Sequence, residues 1–92
     1  MLSQLPLNLE KVSPQDIDKE ILRLGMIAEL DAVSLYEQLA AYTENQQLKN
    51  TLIDIAKEEK THIGEFQALL LQLDKEQETE LTEGKKEVEE LA

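Results

Sequence analysis

Two stretches of the sequence carry apolar residues at spacings that alternate between four and three, which is the period of one helix face. The longer stretch has the stripe Leu48, Leu52, Ile55, Glu59, His62, Phe66, Leu69 and Leu73. Glu59 and His62 therefore occupy positions where a packed helix places leucine. Burying an ionised carboxylate without a partner costs several kcal/mol. The fold must offset the cost of burying these two polar side chains, and a bound metal ion is the leading candidate.

The earlier stretch has a matching interruption. Its stripe consists of Leu22, Met26, Glu29, Val33, Tyr36 and Ala40, and Glu29 is the acidic member. The polar residues 43–46 separate the two stretches. Glu29 lies about four helical turns before this segment, and Glu59 and His62 lie about four to five turns after it. An antiparallel hairpin would therefore bring all three side chains to one height.

Residues at the ends of the stripes indicate where the helices begin and end. Ser13 is a good cap and Pro14 suits the first helical position, so the first helix should run from there to about Tyr42. The second helix is expected from about Gln46 to Leu73. The fold class is therefore predicted to be all-α, with an antiparallel two-helix hairpin as its main part.

Changes of composition divide the chain into three segments. Residues 1–12 form an N-terminal arm with scattered leucines, and residues 13–74 form the helical hairpin. Residues 75–92 form an acidic tail rich in Glu and Lys. This tail is expected to add a short C-terminal helix, or two short helices broken at Gly84.

Both helices carry a second apolar stripe beside the first. Its members are Ile17, Ile21, Leu24, Ala28, Leu35, Leu39 and Tyr42 in the first helix, and Ile53, Ala56, Ile63 and Leu70 in the second. A chain of 92 residues with no third layer cannot cover all of this surface. We therefore expect an obligate oligomer, with Gly25 and Gly64 marking points where helices approach closely.

The bulk composition excludes several classes of protein. A net charge of −11 argues against nucleic-acid binding and suits a protein that attracts cations. The absence of cysteine excludes disulfides and thiolate metal sites. No apolar run approaches the roughly 18 residues that span a membrane. The first residues lack the basic start and long apolar run of a signal peptide, so a cytoplasmic protein is expected.

The three interrupting residues match half of a known metal site. Di-iron carboxylate bundles place one Glu on each of two helices and a Glu-x-x-His pair on each of two others. This chain has Glu29 on one helix and the pair Glu59 and His62 on the other. Two copies related by a two-fold axis, the commonest assembly, complete both the ligand set and a four-helix bundle. We therefore predict a homodimer in which these residues are the metal ligands and the catalytic groups.

The ligand types restrict the metal and its chemistry. Carboxylates with one imidazole per metal suit iron or manganese better than copper, and the lack of thiolate disfavours structural zinc. Oxidation of Fe(II) by O2 or peroxide is a natural reaction for such a pair of ions. The competing interpretation is a non-catalytic helical oligomerisation module, in which a structural Glu/His cluster fixes the register between copies.

Two further residues have open roles. Tyr36 lies one stripe position beyond Val33 and either borders the metal ligands or packs in the core. Asp31 either lines a route by which cations reach the site or is an ordinary solvated residue. Glu58 and Glu65 are interpreted as solvated.

Two segments, residues 28–38 (AELDAVSLYEQ) and residues 57–66 (KEEKTHIGEF), resemble the encapsulated ferritins, which are short ferritin-like proteins housed inside encapsulin shells. The resemblance covers about residues 15–82. It implies a ferritin-like four-helix bundle made by two protomers, with a ferroxidase centre that forms only at the dimer interface. The implied iron ligands are Glu29, Glu59 and His62 of both protomers, and the implied assembly is a decameric ring of dimers.

The resemblance also implies a function and a location. The protein would oxidise Fe(II) to Fe(III) with O2 or peroxide at a di-iron centre, inside an encapsulin nanocompartment that stores the mineral. The chain departs from the family pattern at Ala28, where relatives often carry a further acid, and at Leu35, where some carry an aromatic residue. It lacks the usual encapsulin-targeting tail. Some relatives are instead fused ahead of the shell protein, and the acidic end of this chain is compatible with a domain of such a fusion protein. A rubrerythrin-like manganese or peroxide-scavenging enzyme is a further alternative, against which the missing Cys cluster counts.

Overall fold

The computed structural model describes Gln4 and residues 8–92, and this part of the chain contains helices and no strands. The predicted all-α class and hairpin are therefore confirmed. Of the predicted N-terminal arm, residues 1–12, residues 1–3 and 5–7 lie outside the described part. In chain order the elements are two 3-10 turns, Leu9–Lys11 and Pro14–Asp16, followed by the helices α1 (Ile17–Tyr42), α2 (Gln46–Leu73) and α3 (Lys75–Glu90).

The ends of the hairpin helices follow from local chemistry. Pro14 opens a 3-10 turn instead of the α-helix itself, and the Ser13 hydroxyl donates to the Asp16 carboxylate at 2.8 Å instead of capping a backbone N–H. At the other end, residues 43–45 reverse the chain. The Asn45 side chain accepts a hydrogen bond from the Leu48 N–H at 2.9 Å and so caps the start of α2.

Helices α1 and α2 pack against each other along the hairpin, but few of the described residues become buried. The buried apolar residues among those described are Leu22, Ala40, Ala56 and Leu70. Ala56 and Leu70 belong to the second stripe of α2, whereas Leu69 and Leu73 of its main stripe are half exposed. The main stripe of α2 therefore lies at one edge of the hairpin and not at its centre.

Large apolar surfaces remain uncovered in the single protomer. The exposed large apolar side chains are Ile21, Leu30, Leu35, Leu39, Tyr42, Leu48, Ile53, Leu69, Leu73, Leu81, Val88 and Leu91. The accessible surface is 7137 Å², whereas a compact monomer of this mass exposes roughly 5,400 Å². The radius of gyration is 16.4 Å, against roughly 12 Å for a compact chain of this length. None of the helices in the described part combines the length and the hydropathy that crossing a bilayer requires.

The two glycines inside the hairpin helices have different surroundings. A Cβ at Gly25 would lie 3.1 Å from the Phe66 ring, so this glycine marks the close approach of α1 and α2 that its position predicted. A Cβ at Gly64 would have no neighbour within 4 Å. The predicted close approach at Gly64 is therefore not made within the protomer.

The acidic tail forms one helix, α3, so the predicted short C-terminal helix is confirmed and the alternative of two helices broken at Gly84 is wrong. No glycine in the described part has a positive φ, and a Cβ at Gly84 would meet open space. A single glycine costs a helix only about 1 kcal/mol, which strong helix formers on both sides can outweigh. The ion pair between Lys86 and Glu83 at 3.6 Å spans this region one turn apart.

Asp74 is the one residue between α2 and α3, and both of its carboxylate oxygens are used. Oδ1 accepts from the Gln77 N–H at 3.0 Å, which caps α3, and Oδ2 accepts from the Arg23 guanidinium of α1 at 3.1 Å. The hydrogen bond from Gln77 and the contact with Arg23 lower the pKa of Asp74. Arg23 also donates to Glu20 at 2.8 Å, and this bond raises the pKa of Arg23. The junction is thus a charged link between all three helices.

We expect Gly25→Ala to destabilise the protein although alanine favours a helix. The added methyl group would push the Phe66 ring, and overpacking of this kind typically costs about 1 kcal/mol or more. Gly84→Ala is the matched control, because its methyl group meets open space and should stabilise α3 by up to about 1 kcal/mol. Urea unfolding at equal protomer concentrations measures both; a stability gain for Gly25→Ala would contradict the close packing.

We expect acid to weaken the start of α3. The pKa of Asp74 is lowered in the folded state, so its contribution is present above the unfolded value of 3.8 and is lost as the pH falls through the folded value. An NMR titration of the Gln77 amide should show this loss. Asp74→Asn keeps an oxygen that can accept from Gln77 but has no charge to lose, so its amide should not respond to acid; an equal response would contradict the role of Asp74.

Candidate metal centre

The antiparallel hairpin brings Glu29 of α1 beside Glu59 and His62 of α2. Glu29 lies thirteen residues before Tyr42, the last residue of α1, and Glu59 lies thirteen residues after Gln46, the first residue of α2. At 1.5 Å per residue, both are about 20 Å from the hairpin turn. Glu59 and His62 are one turn apart on the same face of α2. The predicted common height of the three residues is therefore observed.

The side chains of these three residues converge on one point. His62 Nδ1 lies 3.3 Å from Glu29 Oε2 and 3.5 Å from Glu59 Oε2. One ligand atom from each residue lies within 4.8 Å of the others, and no other group of three acid or histidine residues in the described part of the chain does this. We call these residues the Glu/His cluster. Sequence reasoning therefore missed no comparable cluster among the described residues.

The donor separations suit a metal ion. Divalent ions such as Zn²⁺ bind imidazole nitrogen and carboxylate oxygen at about 2.1 Å, so neighbouring donors of an octahedral ion lie about 3.0 Å apart. The separations of 3.3 and 3.5 Å are within about half an ångström of this value. Two carboxylates with one imidazole form a donor set that suits iron or manganese. The residues present therefore fit a metal ion, around which the two carboxylates, whose ligand atoms lie within 4.8 Å of each other, would close.

The Glu/His cluster has excess negative charge within the protomer. In the described part of the chain, neither Glu29 nor Glu59 forms an ion pair with lysine or arginine, and only His62 lies close enough to compensate them. The nearest turn of α2 does carry Lys60, but that lysine pairs with Glu37 at 3.0 Å on another side of the hairpin. A bound cation would neutralise the two carboxylates.

The cluster is closed on one side and open on the other. The side chains of Glu29 and Glu59 are 21% and 19% exposed, whereas His62 is 46% exposed. Phe66 packs on Gly25 one helical turn away and holds α1 and α2 together beside the cluster. Three protein donors also leave an octahedral ion with free positions. The open side is thus where further ligands, and a second chain, can reach the ion.

Two apolar grooves flank the open side of the cluster. The base groove lies toward the start of α1 and is lined by Asp18, Ile21, Leu22, Leu69, Gln72 and Leu73. The tip groove lies at the hairpin turn and is lined by Leu39, Tyr42, Thr43, Glu44, Leu48 and Leu52. The cluster therefore sits at the middle of a mostly apolar face, which an isolated protomer leaves exposed to water.

The two residues with open roles lie outside the cluster. Tyr36 is on the same face of α1 as Glu29, about two turns further along, and is half-buried. Asp31 follows Glu29 by two residues, so it points about 200° away around the helix. Asp31 is also buried, with 9% exposure, so the interpretation as a solvated residue is wrong. Glu58 and Glu65 are exposed, as predicted.

The chain is similar to ferritin-like proteins in both sequence and fold. The rubrerythrin family model matches residues 20–92. A solved structure, the encapsulated ferritin domain from Pyrococcus furiosus, aligns with all of this chain and 96% of that chain, with a TM-score of 0.85 and 52% identity. The chain belongs to the rubrerythrin family, as an encapsulated ferritin. The resemblance noted in residues 28–38 and 57–66 is therefore confirmed, and membership indicates an iron-related function.

A longer relative shows the context in which such a domain occurs. The chain is 54% identical over 93 residues to the ferritin-like–encapsulin shell fusion protein of Pyrococcus furiosus. The alignment covers 99% of this chain but 27% of that protein. The chain thus spans about a quarter of the curated relative, the part that an encapsulated ferritin domain would occupy.

We expect the Glu/His cluster to bind Fe(II) without oxygen present. Anaerobic titration calorimetry should give one ion per protomer. Glu59→Gln and His62→Ala should weaken binding at least about 100-fold, since loss of even an indirect metal contact costs 10- to 100-fold. Glu65→Gln, on an exposed face of the same helix, is the control and should bind as the unaltered chain does. Equal affinities in all four proteins would show that the ion binds elsewhere.

Proposed function

We propose that the protein is a ferroxidase that oxidises Fe(II) to Fe(III) at a di-iron centre completed by a second copy of the chain. The ferric product would feed mineral storage inside an encapsulin shell. The observation that carries the proposal is the convergence of Glu29, Glu59 and His62 in a cluster whose open side faces out of the protomer. This cluster supplies half of the ligand set that a di-iron carboxylate bundle uses.

A second copy would supply the missing half at the open side. Two clusters face to face hold four carboxylates and two imidazoles, one Glu and one Glu-x-x-His pair from each protomer. The exposed apolar side chains that line the base and tip grooves support this pairing, because a second copy would remove them from water. A second copy would therefore both supply the missing metal ligands and cover the exposed apolar surface.

The charges of such a centre suit ferrous iron as the substrate. Four carboxylates carry four negative charges, which two Fe(II) ions neutralise, and the imidazoles add none when they bind metal. Oxidation adds one positive charge to each ion. The negative charge of the protein stabilises this extra positive charge. The Fe(III) product also binds hydroxide or oxide more readily than Fe(II) does. The chain's net charge of −11 draws cations toward the site before reaction.

The reaction balances with O2 as the oxidant. Four Fe(II) ions, one O2 and four protons yield four Fe(III) ions and two water molecules. In the peroxide-yielding variant, two Fe(II) ions, one O2 and two protons yield two Fe(III) ions and hydrogen peroxide. In both, each Fe(II) loses one electron to the oxidant, and no cofactor beyond the bound iron is required.

Each residue of the cluster has a distinct role in this proposal. Glu29 and Glu59 bind the ions with hard oxygen donors that tolerate both oxidation states. His62 binds one ion per protomer, and its two carboxylate neighbours hold the imidazole ring at the site before iron arrives. Phe66, packed on Gly25, keeps the helix spacing that sets the distance between Glu29 and His62.

The proposed cellular setting rests on the relatives. One relative is a fusion of a ferritin-like domain with an encapsulin shell, and a solved relative is an encapsulated ferritin domain. We place this chain in the lumen of an encapsulin nanocompartment, with the shell protein as its partner. A decameric ring of dimers would be the assembly there. Such a ring encloses no storage cavity, so the shell would hold the mineral.

One observation favours a second candidate function. His62 Nδ1 lies 3.3 Å from Glu29 Oε2, within hydrogen-bonding distance, so a Glu/His hydrogen bond alone could fix the register of two copies. The protein would then be a non-catalytic oligomerisation module. Elemental analysis separates the candidates, because a module purified from iron-replete cells would contain no stoichiometric iron.

We expect the protein to accelerate iron oxidation well above the rate in buffer. Anaerobic protein and ferrous salt are mixed with aerated buffer, and the ferric absorbance and O2 consumption are followed together. Glu29→Ala, Glu59→Ala and His62→Ala should each lower the protein-dependent rate at least about 100-fold, since each removes a metal ligand. The ratio of Fe(II) oxidised to O2 consumed distinguishes water from peroxide as the product.

Glu58→Ala and Glu65→Ala are the matched controls, because both remove an exposed acid from α2 beside the ligands. They should retain the full rate, which separates ligand loss from a change in net charge. Replacing O2 by hydrogen peroxide tests the peroxide-scavenging alternative. If the unaltered chain and the three ligand variants oxidise iron at equal rates, the ferroxidase proposal fails.

A further inference from the structure

We propose that Met26 is a modification site, whose thioether is oxidised to the sulfoxide by hydrogen peroxide released at the di-iron centre. This inference rests on the proposed function, because the peroxide comes from the peroxide-yielding form of the proposed reaction. The site is a groove where α1, α2 and α3 meet, which we call the three-helix groove.

Met26 lies close to the proposed source of the peroxide. It precedes Glu29 by three residues on α1, which is one helical turn, so the two Cβ atoms are about 5–6 Å apart. Its side chain is half-buried and lines the three-helix groove. A molecule released at Glu29 therefore starts within one turn of this thioether.

The three-helix groove is open to a small oxidant. Its volume is about 410 Å³, whereas a water molecule in the liquid occupies about 30 Å³. Leu30 and Leu81 at its walls are 54% and 42% exposed, so the groove reaches the surface. Its apolar lining consists of Met26, Ile27, Leu30, Leu70, Leu71 and Leu81. Peroxide can thus contact the sulfur without unfolding of the hairpin.

The three-helix groove lies apart from the surface assigned to the second copy. It shares no lining residue with the base or tip groove. Ile21 of the base groove and Leu30 of the three-helix groove are nine residues apart, so they point about 180° apart around α1. A copy that covers the base and tip grooves would leave Met26 accessible from the other side.

The polar lining of the groove suits the oxidised side chain. It consists of Arg23, Gln67 and Gln77, which all carry N–H donors, and it includes no acid in a chain with 20 Asp and Glu residues. A thioether is a weak acceptor, whereas the sulfoxide is polar and its oxygen can accept from these donors. The groove offers no carboxylate to bind iron, so the oxidant must come from the Glu/His cluster as peroxide.

The reaction balances with one peroxide for each thioether. The sulfur lone pair attacks one peroxide oxygen, the S–O bond forms and the O–O bond breaks. The second oxygen leaves with both protons as water. Sulfur loses two electrons and the peroxide gains them. The chain has no cysteine and two methionines, Met1 and Met26, so few other groups in it react in this way.

Peptide mass measurement after iron oxidation tests the site. Val88→Met supplies a reference thioether, because Val88 is 69% exposed on α3 and lies outside the groove. Fe(II) and aerated buffer are added with catalase, which destroys peroxide in solution. We expect oxidation at Met26 to exceed that at position 88 at least about 10-fold, because proximity raises the local peroxide concentration. Methionine sulfoxide reductase should reverse the added mass.

Reagent hydrogen peroxide without iron is the matched arm of this experiment. The more exposed thioether at position 88 should then react faster than Met26, because susceptibility follows exposure. Glu59→Ala should lose the oxidation of Met26 by Fe(II) and O2. The same order of reaction in both arms, or undiminished oxidation of Met26 in Glu59→Ala, would overturn the inference.

Met26→Leu tests the consumption of peroxide, since leucine and methionine have similar volumes and exchange at little cost. It should oxidise iron at the unaltered rate but release about one more peroxide per protomer, because one thioether consumes one peroxide. A peroxidase-coupled dye, used without catalase, measures this release. Iron oxidation that leaves Met26 unmodified would overturn this inference alone. An unaltered chain that oxidises iron no faster than buffer would overturn the ferroxidase proposal as well.

Discussion

The antiparallel contact between α1 and α2 is the interaction on which the rest of the structure depends. Gly25 admits the Phe66 ring between the helices, and this close packing sets their spacing one turn from the site. Glu29 and Glu59 are separated from the hairpin turn by the same number of residues. Glu29 therefore lies beside Glu59 and His62 at the same height along the hairpin. A shift of one helix by a single turn would separate the donors by about 5 Å and leave buried carboxylates without a partner.

A single protomer has only half of the proposed ligand set and leaves much of its apolar surface exposed. Three donors leave positions open in the coordination sphere of an iron ion, and only four apolar residues in the described part of the chain are buried. Apolar side chains that are exposed in the protomer line the grooves on either side of the cluster, among them Ile21, Leu39 and Leu69. In our proposal, function and stability therefore both depend on a second chain, and the family to which the chain belongs indicates an iron-related function.

The sequence predicted the elements that rest on periodicity and local chemistry. The four-three stripes located α1 and α2 to the residue at the ends Tyr42, Gln46 and Leu73, and they placed the Glu/His cluster at one height. The rotation of α2 was not predicted, because two apolar stripes compete for the same neighbour and only packing decides that Ala56 is buried.

Other features depend on contacts that no local pattern reveals. The helix α3 continues through Gly84 because the capping of its first turn and its many helix formers outweigh a weak breaker. Asp31 is buried, although a solvated position was one of the two roles that the sequence left open for it. Burial of a charged residue is set by the tertiary environment, which alternation of polar and apolar residues cannot specify.

The most direct test is a crystal of the protein loaded with Fe(II), with anomalous scattering collected at the iron edge. We predict two iron ions between the copies, related to each other by the two-fold axis and bound by Glu29, Glu59 and His62 of both. Iron bound by one copy alone, or these three side chains directed into bulk solvent far from any second copy, would contradict it.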